Sequence, residues 1–107
     1  MTNDENGQVD TQVQPVLDAL AKYKDSHPNA RIDVHRQNSM SIRVRIIDPE
    51  FAGMDRVDRE PPIWRLLKTL PEGIFANLTM LLLLTPEEAE ASLANLEFEN
   101  PIPSRVG

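Results

Sequence analysis

Cysteine is absent from this 107-residue chain, which excludes disulfides, thiolate metal sites and cysteine nucleophiles. Glycine is scarce, 4 residues against 9 prolines, so a Gly-rich phosphate cradle has little to be built from. Aromatic residues are few, with one Trp, one Tyr and three Phe to stack on nucleobases. An excess of positive charge is also missing. The net charge of −6 disfavours a dedicated nucleic-acid binder, which needs a basic surface. The longest apolar run, Met80 to Leu84, is too short to span a bilayer, so no membrane association is expected. The opening MTNDENGQVD is polar and acidic, unlike a signal peptide, and a cytoplasmic protein is expected.

What remains is an ordinary globular mixture, 40% hydrophobic and 26% charged, of a length that suits one domain. Residues 1–10 have nothing to bury and are expected to be disordered. Val13, Val16, Leu17, Leu20 and Lys24 then recur at helical spacing, with Pro15 in the first turn, and Ser26 to Asn29 as the stop. Two stretches of strict alternation follow, Arg31 to His35 and Met40 to Ile46. A three-residue loop, Gln37-Asn38-Ser39, would pair Val34 with Ile42, Ile32 with Val44 and Asp33 with Arg43, keeping the apolar sides together without a bulge. Beyond a turn at Asp48 to Gly53, Pro61-Pro62 is expected to open a helix carrying Ile63, Leu66, Leu67 and Leu70. Asn77 to Leu84 reads as a strand. Thr85-Pro86-Glu87-Glu88 is a capping box opening a last helix to about Asn95. The expected architecture is α+β, a three-stranded mixed sheet with helices packed on one face, in the order α-β-β-α-β-α. One domain over residues 11–97 and an irregular tail over 98–107 complete it.

Charge is unevenly spread. Residues 31–68 hold eight Lys/Arg against six Asp/Glu, while both flanks are acidic. Arg31, His35, Arg43 and Arg45 fall on the polar side of the alternating strands. They make either a cationic docking face or a solvated one with Asp33 neutralising Arg43. Ile47, Thr79, Leu81 and Leu83 are expected on that same side, an apolar run that the C-terminal tail or a second chain should cover.

No residue pattern supports catalysis. His27 reads as a helix-end residue, capping or exposed, and His35 has no second ligand at metal spacing. Asp48, Glu50, Asp55, Asp58 and Glu60 lack the glycine and terminal Glu of a calcium loop and read as solvated turn charge. Asn77-Leu78-Thr79 fits a glycosylation sequon, but a chain without secretory features would not use it. No metal and no cofactor is expected.

Residues 46–70, IIDPEFAGMDRVDREPPIWRLLKTL, resemble the BolA family. Phe51 and Gly53 match its aromatic-x-Gly turn, Arg59 the start of its Arg-His-Arg-like triplet, and Ile63-Trp64 its apolar-aromatic pair. The resemblance extends through the element order over about residues 12–96. It implies a KH-like fold of the second type without the Gly-rich RNA clamp. It also implies association with monothiol glutaredoxins and iron–sulfur cluster handling, in which the triplet's His is a ligand. Some members are described as transcriptional regulators. Here Glu60 stands at that His position and Pro61 at the second basic one, and a hard carboxylate is a poor replacement for imidazole on an iron–sulfur centre. The combined expectation is a non-enzymatic adaptor, monomeric or weakly dimeric. It would bind a protein, glutaredoxin-like by the resemblance, through Arg31, His35, Arg43, Arg45, Phe51, Gly53, Arg56 and Arg59. The alternatives are a cluster or metal carrier using Glu60 or His35, and a nucleic-acid binder using the arginines.

Overall fold

A computed structural model describes residues 11–99. The expected disorder of residues 1–10, and most of the expected irregular tail, lie outside that range.

The first apolar stripe becomes α1 (Val13–Ser26), which buries Val16, Leu20 and Tyr23 and leaves Leu17 half-buried. Its last turn closes at His27, whose N–H donates to the Tyr23 and Lys24 carbonyls at 3.0 and 3.1 Å. Strands β1 (Arg31–Asn38) and β2 (Ser41–Ile47) form the antiparallel hairpin. The expected pairing is corrected by two residues. Val34 meets Val44, Ile32 meets Ile46 and Asp33 meets Arg45, with His35 opposite Arg43. The turn at Ser39-Met40 is two residues long, and a bulge between Arg36 and Asn38 absorbs the odd residue. Facing parity therefore survives, because a shift of two keeps each side chain on its face.

After a single 3₁₀ turn, Pro49–Phe51, the chain enters α2 (Arg56–Leu67). This helix starts five residues before the expected Pro61, and both prolines lie inside it. Proline's fixed φ suits a helix, so the loss is two N–H donors, and the unmatched carbonyls of Val57 and Asp58 lie at exposed residues that water can reach. A short turn, α3 (Glu72–Phe75), leads into β3 (Leu78–Leu84), which pairs parallel with β2 to give the order β1-β2-β3.

The β3 parity also needs correction. Val44 lies beside Leu81 and Ile46 beside Leu83, which puts both leucines on the core side. Met80, Leu82 and Leu84 instead line up with Arg43, Arg45 and Ile47. A register shift between Ile42 and Arg43 causes this; Ile47 on β2 and Thr79 on β3 keep their expected side, the Thr79 hydroxyl 2.5 Å from that of Ser41.

The capping box forms as expected and starts α4 (Pro86–Ala91), but the helix ends at Ser92, which is extended. Ser92 then serves as N-cap of α5 (Leu93–Glu99), its Oγ accepting from the Asn95 N–H at 3.2 Å. Phe98 and Glu99, expected to begin the irregular tail, are helical.

The order α-β-β-α-β-α and the mixed three-stranded sheet are as read from the sequence. Helices α1 and α2 form the layer on one face. The core there joins Val16, Leu20, Tyr23, Val44, Ile46, Phe51, Ile63, Leu67 and Leu83, each burial contributing roughly 1.5–3 kcal/mol for the larger side chains. Helix α5 crosses the other face. No helix among the described residues is long and apolar enough to cross a membrane.

Candidate functional site

The strand arginines are the first test of the expected docking surface. Asp33 and Arg45 sit opposite each other on β1 and β2, and the Arg45 side chain is 1% exposed. Its Nη2 and Nε donate to Asp33 Oδ2 at 2.7 and 3.1 Å; its Nη1 donates to Asn95 Oδ1 at 2.7 Å and Glu99 Oε2 at 2.8 Å. The Phe98 ring lies 4.7 Å from the guanidinium carbon and stacks on His35 at 4.6 Å. Burial pulls the Arg45 pKa down, but hydrogen bonds and charge from Asp33 and Glu99 more than reverse this and leave it raised. Arg43, 9% exposed, faces Glu97 at 3.7 Å.

The cationic face is therefore consumed inside the chain. The acidic helix α5 covers it, where the expected coverage was of Leu81 and Leu83, which face the core instead. Arg43 and Arg45 are withdrawn as partner-binding residues, because a docking partner would first have to displace α5. Arg31 remains exposed, 3.3 Å from Asp33. His35 is exposed at its edge but occupied by Phe98.

The turn that follows β2 is held at both ends. Phe51 is buried in the core, and Gly53 takes φ +83°, a left-handed conformation that favours glycine. At the far end Arg59 is buried. It donates to the Met54 carbonyl at 3.2 Å, the Leu83 carbonyl at 3.0 Å, and both Glu88 oxygens at 2.6 and 3.1 Å. Its guanidinium also lies 5.4 Å from the Phe51 ring. Arg59 is thus a staple joining the turn, α2, β3 and α4, and is likewise withdrawn as a contact residue. Glu88 serves this pair and the capping box together. The Arg59 hydrogen bonds, then the Thr85 N–H, lower its pKa to about 2.

Between the anchors the chain is open. Met54 is 38% and Val57 74% exposed, with Arg56 exposed between them. Val57, Pro61, Trp64 and Lys68 succeed one another at helical spacing along α2. Pro61, Trp64, Arg65, Lys68 and Phe75 line a cleft there, with Trp64 edge-on to Phe75 at 5.8 Å. Glu60, which the resemblance sets at a ligand position, is exposed and accepts from Trp64 Nε1 at 3.0 Å. Glu60 rises from the helical layer, whereas His35 lies under α5 on the opposite face, so the two cannot share one ion or cluster. Sequence reasoning placed the loop Phe51–Arg59 on the binding surface without singling out Met54 or Val57, and missed the exposed flank of Trp64. The i, i+4, i+7 signal from Val57 was hidden by the expectation that Pro61 begins the helix.

An aromatic-x-Gly turn, a buried Arg59 and a mixed three-stranded sheet in this element order define an α+β domain of the kind the BolA resemblance implies. The comparisons with known proteins give particular relatives. UV-induced protein uvi31 of Schizosaccharomyces pombe is 38% identical over 66 residues, covering 62% of this chain and 65% of its own. The chain thus spans just under two thirds of that relative's length. Among solved structures, BolA1 from Arabidopsis thaliana aligns with a TM-score of 0.48 at 19% identity, covering 75% of this chain and 98% of that one. No family model matches.

Proposed function

We propose that this BolA-like chain is a small non-enzymatic adaptor that docks a protein partner on the turn 52–58 and the adjoining face of α2. The observation that carries the reading is the exposure of Val57, on a segment whose ends, Phe51 and Arg59, are both fixed in the core. A rigid turn presenting Met54, Arg56 and Val57 loses little entropy on binding, and apolar side chains beside an arginine suit a protein interface. The cleft beside Trp64 extends the same surface. The BolA resemblance supplies the class of partner, a monothiol glutaredoxin.

Two further readings lose support. Nucleic-acid binding through Arg43 and Arg45 has no surface while α5 covers them. Cluster ligation at Glu60 has a hard carboxylate already engaged by Trp64.

The test is calorimetric titration of the chain with a purified monothiol glutaredoxin. Val57→Asp combined with Arg56→Glu is expected to weaken binding roughly a hundredfold, as loss of a central contact does. Arg31→Glu, on the far strand, should leave the affinity unchanged. A double variant that binds like the parent would remove this surface, and absence of heat with the parent chain would remove the partner.

A further inference from the structure

We propose that His27, Asp48 and Glu50 form a binding site for one divalent transition-metal ion of the zinc class. They meet where the end of α1 lies against the turn leaving β2. One ligand atom from each residue can be chosen so that all lie within 4.8 Å of one another, and His27 Nε2 is 3.8 Å from Glu50 Oε1. Tetrahedral zinc with bonds near 2.0–2.1 Å places its ligands about 3.3 Å apart, so a modest swing of the exposed Glu50 side chain closes the set.

Three independent features prepare the ligands. The first is the imidazole tautomer. His27 Nδ1 lies 3.0 Å from the Tyr23 carbonyl, which can only accept. In the neutral ring Nδ1 therefore carries the proton, and Nε2 presents its lone pair toward the carboxylates. The ring is also clamped in orientation, stacked on Tyr23 at 3.9 Å and 4°.

The second is the fixed carboxylate. Asp48 accepts from the Tyr23 hydroxyl at 2.6 Å on one oxygen and from the Glu50 N–H at 2.9 Å on the other. Each oxygen keeps a second lone pair. Tyr23 thus orients two ligands at once, one through its carbonyl and one through its hydroxyl, as partners behind metal ligands commonly do.

The third is charge. Asp48 is 0% exposed, and among the described residues no Lys or Arg lies within ion-pair distance of it or of Glu50. A buried carboxylate without a cation is costly, and a divalent ion would supply the missing charge. One imidazole nitrogen with two carboxylates suits zinc, and half-burial of His27 leaves a side open to water as a fourth ligand.

The experiment is calorimetric titration of zinc chloride, and separately of manganese chloride, into the full chelator-treated chain. Zinc should bind at one ion per chain and more tightly than manganese, in keeping with the order of divalent affinities. Glu50→Gln and His27→Gln should each weaken zinc by roughly tenfold or more. His35→Gln removes the only other histidine and should change nothing. Glu50 is exposed, so its variant remains informative even if the His27 variant folds poorly. Absence of zinc binding at millimolar concentration would overturn the site. So would binding that Glu50→Gln leaves intact, or that His35→Gln abolishes.

Discussion

Glu88 shows how one side chain can serve two structures. It closes the capping box of α4 through the Thr85 N–H and holds Arg59 through both its oxygens. Its pKa falls from 4.5 to about 2, so the folded chain favours the ionised form more than the unfolded chain does. That stabilisation is complete above about pH 4.5 and is lost as the pH falls toward 2. Glu88→Gln keeps a capping side chain and removes the charge. It should lower stability at neutral pH, with the gap to the parent closing across that acid window. Urea unfolding at stepped pH measures it; a gap that stays constant down to pH 2 would detach the effect from Glu88 ionisation. The sequence could suggest the capping box because its four residues are adjacent. Nothing local could reveal that Arg59, 29 positions earlier, reaches the same carboxylate.

At the scale of elements, the departures from expectation have separate physical causes. The hairpin uses a two-residue turn and a bulge where an unbulged three-residue loop also kept the faces. Both solutions satisfy the alternation, so the alternation alone does not choose between them. Helix α2 begins at Arg56 because the Arg59 staple and the burial of Ile63 and Leu67 outweigh the cost of prolines near its middle. Pro62→Ala would restore the N–H bond toward the Asp58 carbonyl. The variant should gain about 1 kcal/mol, seen as a higher Tm, provided the unfolded chain's added freedom does not offset it. An unchanged or lower Tm would mean that the helix start depends on proline's fixed φ. The last helix breaks at Ser92 because α5 must turn back over the sheet, a demand that periodicity within residues 86–95 does not express.

Seen whole, the molecule encloses its sheet from both sides. Helices α1 and α2 bury the aliphatic half of β2, and α5 seals the arginine half. The basic centre and acidic C-terminal region, visible as opposite charge blocks along the chain, neutralise each other through Arg45 with Glu99 and Arg43 with Glu97. Phe98 is the apolar anchor of that seal, fully buried against Arg45 and His35. Phe98→Ala should destabilise the fold by about 3–5 kcal/mol, read from chemical denaturation. A loss below 1 kcal/mol would mean that α5 is held by its ion pairs alone.

By itself the sequence determined the order of the principal helices and strands, though not where α2 begins or the last helix breaks, and the side of each hairpin strand that carries the oil. Those properties depend on spacings of two to four residues. It also carried the turn motif of Phe51, Gly53 and Arg59. Only the tertiary structure decided that Arg43, Arg45 and Arg59 are internal ties, that β3 presents Leu81 and Leu83 to the core, and that His27, Tyr23, Asp48 and Glu50 converge. Each of these is a meeting of residues far apart in the chain. Such meetings are set by how layers close on one another, and a linear pattern does not encode them locally.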